Sequence, residues 1–299
     1  FAKVVMFNCG GFIIIDKPID YSSSFISRIC RKLLGVSKTG HLGTLDPFAT
    51  GVLTVAFGYG TKAIPFIKIN SKIYEFELKF GEKTNTADKT GEIIKTGRIP
   101  DLGEVYSVLP RFIGPQFQLP PAYSAIKVNG VRAYKLARKG NALELEKRAI
   151  NITSLKCLGQ TDDHIFKFCA EVSPGTYIRS LCEDIADALN IVGHAWSLRR
   201  IADGKFSIDN AICLDELKEN RDNIESIMIP LENVLDDIPV IFVSCQDALD
   251  LSQGRCISRE FSDNIDGLCL ASSENGFLGM VLVSSDHIYP KRIFEFRKE

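Results

Sequence analysis

Apolar and polar positions along this chain follow two spacings, one typical of strands and one typical of helices. Residues 74–80 alternate strictly, with Tyr74 first among four apolar positions and charged residues between them, which predicts a half-buried strand. Apolar residues at helical spacing predict helices over 22–34, which Gly35 would end, and over 176–189. Similar patterns predict further strands at 11–16, 52–57, 150–158 and 165–172.

The order of these elements favours an α+β fold. Strands and helices are interleaved irregularly, and Asn129-Gly130 is a hairpin turn signal, whereas a doubly wound sheet would alternate its elements regularly. Residues 36–51 lack periodicity and are predicted to form a loop between core elements, and 133–139 a short basic helix. After an acidic, helical stretch ending at 237, a small separate β-rich domain is predicted from short β-like runs: 240–243, 268–271, 277–283 and 293–296.

The composition is that of a globular protein. The chain has 299 residues, 45% of them hydrophobic, and can bury a sizeable core. No apolar run approaches the roughly 18 residues of a membrane-spanning helix, and no secretory signal pattern is present, so we expect a cytoplasmic protein with no membrane partner. Nine scattered cysteines, none spaced as C-x-x-C, argue against a disulfide framework and a zinc site, and nothing local suggests a metal.

Positive charge is concentrated in one part of the chain. The formal net charge of −1 gives by itself no reason to expect a nucleic-acid partner. Residues 123–148, however, hold only two acids, Glu144 and Glu146, against seven cations: Lys127, Arg132, Lys135, Arg138, Lys139, Lys147 and Arg148. Such a segment can grip phosphates, although an ordinary solvated surface is an equally open alternative.

The densest group of chemically useful residues lies in the loop predicted between core elements. Residues 40–51 contain glycines at three points, which permit a tightly folded backbone, and Asp46 stands directly before a proline. Such a loop can display one carboxylate rigidly, but an aspartate before proline is more commonly a turn or cap residue. His41 is likewise more often structural than functional. The residue types alone leave both alternatives open.

The residue pattern alone does not assign a functional role to Arg179 or Tyr74. Arg179 is predicted near the start of a helix, where the helix dipole disfavours a cation by roughly 0.3–1 kcal/mol. Either an i,i+4 pair with Glu183 or a carboxylate elsewhere would compensate. Tyr74 is in phase with core-facing strand positions, which makes it a packing residue. Phosphate-binding and dinucleotide glycine motifs are missing, so we assign no cofactor.

Several separate motifs occur in a fixed order along nearly the whole chain. They are Asp16-Lys17-Pro18 with Ser22-Ser23; residues 40–51; Gly60-Thr61-Lys62; Tyr74 with Gly81 and Thr84-Asn85-Thr86-Ala87-Asp88; Pro120-Pro121-Ala122-Tyr123-Ser124-Ala125-Ile126-Lys127; Gly175-Thr176-Tyr177-Ile178-Arg179; and Leu198-Arg199-Arg200 with Gly204 and Phe206. One short motif can arise by chance, whereas this ordered set argues against chance. Together the motifs resemble the TruB family of stand-alone tRNA pseudouridine synthases.

The resemblance implies a two-part architecture and an RNA substrate. The fold would be a mixed α+β domain over 10–238, with an antiparallel-rich sheet and flanking helices, followed by a small PUA-like RNA-binding domain over 239–299. The basic stretch at about 118–148 resembles the RNA-gripping insertion of the stand-alone enzymes, which argues against a guide RNA. The implied substrate is uridine 55 in the TΨC loop of tRNA, and we expect a monomer.

The resemblance also implies roles for individual residues. Isomerisation must break the N1–C1′ bond, turn the uracil, join C5 to C1′ and remove the C5 proton, without redox chemistry. Asp46 would act as nucleophile, as stabiliser of a positive sugar or by proton removal, and Arg179 would keep it ionised. Tyr74 would stack on the uracil and is the natural candidate for proton transfer. Leu198 would form an apolar wall, and His41 would enter the space left by the flipped base.

The resemblance also implies contacts to RNA and its phosphates. These are Lys17, Lys127, Arg132, Tyr177 and Arg199, whose contribution should be sensitive to salt. The chain departs from the common family pattern at Asp20-Tyr21, at Asn85 and at Pro174, none of which touches the implied catalytic set. A tRNA-binding folding chaperone that does not depend on isomerisation is the alternative from another class, and Asp46→Asn separates the two.

Overall fold

The described part of this computed structural model comprises residues 10–124, 127–128, 130–132, 145–258, 265–284 and 286–294, with 127–128 and 131–132 described by backbone alone. Its strands are β1 (Gly11–Lys17), β2 (Thr39–His41), β3 (Thr50–Phe57), β4 (Lys72–Phe80), β5 (Glu82–Thr84), β6 (Ile93–Thr96), β7 (Gly114–Gln118), β8 (Lys127–Val128), β9 (Val131–Arg132), β10 (Arg148–Asp162), β11 (Ile165–Val172), β12 (Gly193–Asp203), β13 (Phe206–Ser207), β14 (Ile229–Pro230), β15 (Val240–Phe242), β16 (Ile257–Ser258), β17 (Gly267–Ser273), β18 (Gly276–Ser284) and β19 (His287–Ile293).

The helices lie between these strands and pack on the sheet faces. They are α1 (Ser23–Leu34), α2 (Gly60–Ala63), α3 (Leu102–Val108), α4 (Ile178–Ala188), α5 (Leu214–Glu219), α6 (Leu231–Val234) and α7 (Cys245–Ser252), with 3-10 turns at Ile64–Phe66, Leu109–Phe112, Ile208–Asn210 and Arg221–Ser226. Among the described residues, no helix has the length and apolar character that crossing a membrane requires.

One large mixed sheet forms the body of the molecule. Its strands follow the order β14-β1-β3-β12-β4-β11-β10-β7, with β2 beside β3 and β13 beside β12. Its pairs are antiparallel except for β3 with β12, which run parallel. A second sheet, in the order β15-β17-β18-β19-β16, is built entirely from residues after 239. The expected antiparallel-rich α+β architecture with a β-rich C-terminal part is therefore present.

Helix α1 forms where the sequence predicts it. The side chain of Ser22 accepts a hydrogen bond from the backbone N of Phe25 at the first turn, and Gly35 ends the helix with a φ of 64°. Ile26 and Cys30 are buried against the sheet. Helical spacing also assigns Phe25 to this buried stripe, and that expectation is wrong: its ring is exposed and stacks on Tyr21 at 5.3 Å.

Two other expected boundaries differ from the structure. The loop expected at 36–51 contains the short strand β2. Its backbone forms antiparallel hydrogen bonds with residues 55–57 of β3, which makes it part of the large sheet. Of the last expected strand, 293–296, Ile293 is the end of β19 and Phe294 follows the strand, whereas residues 295–296 lie outside the described residues. Residue 129 of the expected turn and the basic helix at 133–139 lie outside the described residues, although β8 and β9 do pair as a hairpin.

The two sheets share buried apolar surface. Phe12 and Ala56 of the large sheet belong to the same buried cluster as Leu270 and Met280 of the small sheet, and Phe294 completes it. A different cluster lies on the large sheet beneath α4 and contains the strand residues that face the site described next. The site therefore rests on a packed sheet face.

Candidate active site

The turn that carries Asp46 is fixed to the neighbouring helix. Ser23 on α1 receives a hydrogen bond from Leu45 N at 2.8 Å and donates one to Leu45 O at 3.0 Å. The turn closes on itself through Ala49 N, which donates to Asp46 O at 3.1 Å. The side chains of Leu45 and Phe48 are buried on either side of the aspartate. These contacts hold Asp46 in a defined place while 36% of its side chain stays exposed.

Glycine is required where this turn enters β3. Gly51 has a φ of 96° and lies beside Arg200 across the parallel β3–β12 pair. A Cβ added at Gly51 would lie 2.2 Å from the backbone O of Arg200, a distance that no side chain tolerates. The close approach joins the turn directly to β12.

Arg179 is the direct partner of Asp46. It lies in the first turn of α4 and is 3% exposed, and its Nε is 2.9 Å from Oδ2 of Asp46. Its two remaining nitrogens donate to the backbone O of Thr86 at 3.0 Å and of Tyr123 at 2.8 Å. The alternative i,i+4 pair is not formed, because Glu183 binds Lys83 instead at 3.0 Å. A distant carboxylate thus compensates the cation at this helix start.

Asp88 is a third member of this ion group that sequence reasoning did not single out. It is 5% exposed, and its Oδ2 lies 3.6 Å from Nη1 of Arg179. Its Oδ1 accepts hydrogen bonds from Thr86 Oγ1 at 2.8 Å and from Thr90 N at 2.9 Å. An aspartate with threonines two residues before and after it was the available signal. Arg179 therefore serves two carboxylates.

The electrostatics of Asp46 differ from the expectation of a guanidinium that simply keeps it ionised. Burial raises the pKa of Asp46 above its usual value, while the charge of Arg179 works against that rise. The nearby carboxylate of Asp88 raises the Asp46 pKa further, and Lys17 lowers it. Arg179 thus opposes a larger desolvation effect, and Asp46 is more basic than an ordinary aspartate.

Tyr74 and Leu198 lie on adjoining strands of the large sheet. Tyr74 on β4 and Leu198 on β12 are both buried and belong to the same apolar cluster as Leu45 and Phe48 of the Asp46 turn. Burial raises the pKa of the Tyr74 phenol, and Arg200 acts in the opposite direction. The phenol is therefore neutral at neutral pH. It can accept a proton from the substrate only if it releases its own hydroxyl proton to another group.

His41 lies in β2, half-buried, where it pairs with Val55. Burial lowers the pKa of its imidazole, and the charge of Arg200 lowers it further. The ring is therefore neutral at neutral pH and can stack or donate a hydrogen bond without carrying charge.

The structure places Lys17 in the interior, where the expected phosphate contact is not available. The side chain is completely buried, and Nζ donates to the backbone O of Pro18 at 2.9 Å, of Tyr21 at 2.7 Å and of Pro47 at 3.2 Å. Burial lowers the pKa of this ammonium to about 8, although Asp20 and Asp46 oppose the change. Lys17 shapes the two turns around Asp46, because three carbonyls occupy its donors.

The other expected RNA contacts are only partly brought together. Arg199 binds Asp16 through two hydrogen bonds, at 3.0 and 2.7 Å, and remains 39% exposed. Tyr177 caps α4, and its backbone exchanges hydrogen bonds with the side chain of Gln118. The side chains of Lys127 and Arg132 lie outside what the structure describes.

Metal-ligand residues do not cluster in the part of the chain that the structure describes. No group of three or more histidine, cysteine, aspartate or glutamate side chains there could hold a metal ion. What the site offers is a carboxylate of raised pKa, a buried guanidinium and a neutral phenol above an apolar sheet face. This set can stabilise a developing positive charge or attack an electrophilic carbon.

Two family models match consecutive parts of the chain. The TruB family pseudouridylate synthase (N terminal domain) matches residues 31–178, and the tRNA pseudouridylate synthase B C-terminal domain matches 179–236. A tRNA pseudouridine synthase B of Caulobacter vibrioides is 41% identical over 251 residues, covering 83% of this chain and 81% of the relative. That of Bradyrhizobium diazoefficiens is 36% identical over 294 residues, covering 95% and 85%.

Solved structures support the fold. The chain resembles one in a Cbf5-Nop10-Gar1 complex with a TM-score of 0.70 and 20% identity, covering 98% of this chain and 87% of the other. At this identity the likeness concerns the fold alone, and it confirms the expected pseudouridine synthase architecture. The family models and relatives confirm the expected enzyme class. This chain belongs to the TruB family of pseudouridylate synthases.

Proposed function

We propose that this enzyme isomerises uridine 55 in the TΨC loop of tRNA to pseudouridine. The relatives named tRNA pseudouridine synthase B support tRNA as the substrate. The observation that carries the catalytic assignment is the 2.9 Å contact between Arg179 Nε and Asp46 Oδ2, on a turn whose aspartate remains partly open to solvent. A carboxylate held in this way can reach a nucleoside that enters from outside.

The chemistry is an isomerisation in which every atom is conserved. The N1–C1′ bond breaks, the uracil turns, C5 joins C1′, and the proton on C5 is transferred to N1 directly or through the solvent and side chains. Asp46 acts in its ionised form on the sugar carbon, as nucleophile or as stabiliser of positive charge, or begins by removing a sugar proton. The reaction needs no cofactor, because no redox step or external energy is involved.

The substrate uridine has to leave the folded tRNA loop before Asp46 can reach it. Flipping the base out costs a few kcal/mol, so the protein must offer contacts in return. In this proposal the Tyr74 ring stacks on the uracil, and Leu198 forms the apolar wall beside it. The neutral ring of His41 occupies the space that the base vacates, where a charge would be costly to bury.

The wider assignments follow from the same proposal. Residues 10–238 form the catalytic domain, and 239–299 a PUA-like domain that contacts RNA. The basic segment at about 118–148 grips phosphates, so that the enzyme acts without a guide RNA. The enzyme is further proposed to be cytoplasmic and monomeric. Arg199 and Tyr177 contribute contacts to RNA beside the catalytic residues, with Lys127 and Arg132 on the insertion.

Incubation with an unmodified tRNA transcript and no added cofactor tests the function directly. Pseudouridine should appear at position 55, as mapped base by base, and Asp46→Asn should abolish its formation while largely preserving tRNA binding. Asp163→Asn, at an exposed residue in the turn between β10 and β11, serves as a matched control outside the site. Modification at another position would refute the site assignment, and full activity of Asp46→Asn would refute the catalytic one and favour the chaperone alternative.

A further inference from the structure

A second buried ion group lies behind the catalytic turn. Arg200 and Asp203 on β12 are both completely buried, and Arg200 Nη1 lies 3.3 Å from Asp203 Oδ2. The other oxygen of Asp203 lies 2.9 Å from Nζ of Lys72, which begins β4. Arg200 Nε donates to the backbone O of Val52 on β3 at 2.8 Å. Three strands of the large sheet thus meet at this group.

The group contains one more cation than it has anions. Counted in their ionised forms, Lys72 and Arg200 carry two positive charges and Asp203 a single negative charge. Burial lowers the pKa of Lys72, and the neighbouring charge of Arg200 lowers it further, so the two cations repel each other. Among the described residues, Arg200 Nη1 and Nη2 also find no hydrogen-bond partner of good geometry. The Lys72–Asp203 pair would satisfy the fold alone, and a further buried guanidinium is a cost.

The surplus cation faces the parts of the site that the reaction needs. Arg200 and Tyr74 are directly opposed in the antiparallel β12–β4 pair, so their side chains share one face of the sheet. Burial raises the pKa of the Tyr74 hydroxyl, and the positive charge of the nearby guanidinium opposes that rise. Arg200 thus lies beside Tyr74 on the same face of the sheet.

The same guanidinium supports the catalytic turn at Gly43. A Cβ added to Gly43 would lie 3.1 Å from Arg200 Nη1 and 3.0 Å from Lys72 Nζ, and the residue has a φ of 59°. The backbone of the turn therefore packs directly on the two cations, three residues before Asp46.

We propose that Arg200 is a positioning residue of the reaction, which fixes the Tyr74 ring and the Gly43 turn and keeps one unneutralised positive charge behind the uracil. This inference rests on the proposed function. When the N1–C1′ bond breaks, its electron pair remains with the uracil, and a fixed positive charge nearby favours that state over the bound uridine. The extra buried cation then lowers the stability of the fold but increases the rate of the reaction.

Replacing Arg200 with methionine tests this role, because it removes the surplus charge and leaves Lys72 paired with Asp203. The single-turnover rate at saturating tRNA should fall by about 100-fold, as expected when a reacting group is misplaced. The tRNA affinity should stay near the wild-type value. The melting temperature should stay near the wild-type value or rise. Arg200→Lys, which keeps the charge without the planar fork, should recover part of the rate. Arg98→Met, at an exposed ion pair with Glu104, is the control and should leave all three measurements unchanged.

Each other outcome counts against the inference. A wild-type rate in Arg200→Met would show that the reaction requires neither the positive charge of Arg200 nor its contacts with Tyr74 and the Gly43 turn. A fall in melting temperature large enough to account for the reduced rate would make Arg200 a structural residue only. Wild-type protein that forms no pseudouridine in tRNA would refute the proposed function itself, and the inference with it, so the two failures are distinguishable.

Discussion

The ion pair between Arg179 and Asp46 is oriented, with its cation inside and its anion outside. The guanidinium side chain is 4% exposed, whereas 36% of the carboxylate side chain is open to solvent. A substrate therefore meets the aspartate first, while the arginine is held from behind by the backbone O atoms of Thr86 and Tyr123. The pair is thereby positioned to support catalysis without contributing much to the binding surface.

Arg179→Ala should consequently reduce turnover far more than tRNA affinity. Loss of the guanidinium leaves Asp46 and Asp88 close together without their shared cation, which raises the Asp46 pKa further and frees its side chain. We expect the rate at saturating tRNA to fall by about 100-fold or more, measured beside tRNA binding. Glu183→Gln, on the same helix but paired with Lys83, is the control. Unchanged turnover in Arg179→Ala would return the residue to a purely structural role.

The pH dependence of the reaction should report the raised pKa of Asp46. An ionised Asp46 is required, so the rate falls as the pH falls through the pKa that the group has in the folded enzyme. Since burial raises this pKa, the acid limb should lie above the value of about 3.9 for an ordinary aspartate. Asp88→Asn removes a neighbouring negative charge and should move the limb to lower pH. Rate profiles of the two proteins check this, and a shift to higher pH would contradict it.

Gly51 offers a test of the close contact between the catalytic turn and β12. Gly51→Ala should lower the free energy of unfolding by more than about 3 kcal/mol, because the new methyl group meets Arg200 O at 2.2 Å in a left-handed backbone. Gly35 has a similar positive φ at a helix end with open space around it, so Gly35→Ala should cost only about 1 kcal/mol. Denaturant unfolding measures both, and equal losses would show that the contact is unimportant.

Binding of tRNA should weaken steeply as salt is added, because the proposed insertion contacts phosphates. Replacing Lys127 or Arg132 with glutamine should lower the slope of log affinity against log salt by about one for each phosphate that the variant no longer neutralises. Arg98→Gln, which removes one exposed positive charge outside the insertion, is the charge-matched control. A flat salt response in the wild-type protein would argue against phosphate gripping.

Periodicity was sufficient to predict the strand of Tyr74 and the helix of Arg179, but it did not predict β12, which carries Leu198, nor the use made of individual side chains. The alternation that begins at Tyr74 and the helix that contains Arg179 both appear where they were expected. Lys17 lies next to a proline in a familiar motif and was expected to contact RNA, whereas three carbonyls occupy it. Whether a cation lies inside or outside depends on contacts between distant segments, which local spacing does not contain.

Asp88 and Arg200 show the same limit from the other side. Both stand in motifs that the sequence displays, but neither had an assigned role, because Arg179 and Tyr74, which they approach, lie far away in the chain. Arg179 approaches Asp88 because α4 packs on β12, whose Ala195 forms a backbone bridge with Asp88, and Arg200 approaches Tyr74 only in the β12–β4 register. Family resemblance identified the motifs, and the sheet register explains why their members meet.

The apolar cluster shared by the two sheets couples the stability of one sheet to that of the other. Leu270, Met280 and Phe294 cover Phe12 in β1, the strand that leads directly into the turn held by Lys17. A chain that ends before these residues would expose an apolar surface on the large sheet, and exposed apolar surface promotes aggregation. The C-terminal sheet thus completes part of the buried apolar core of the large sheet.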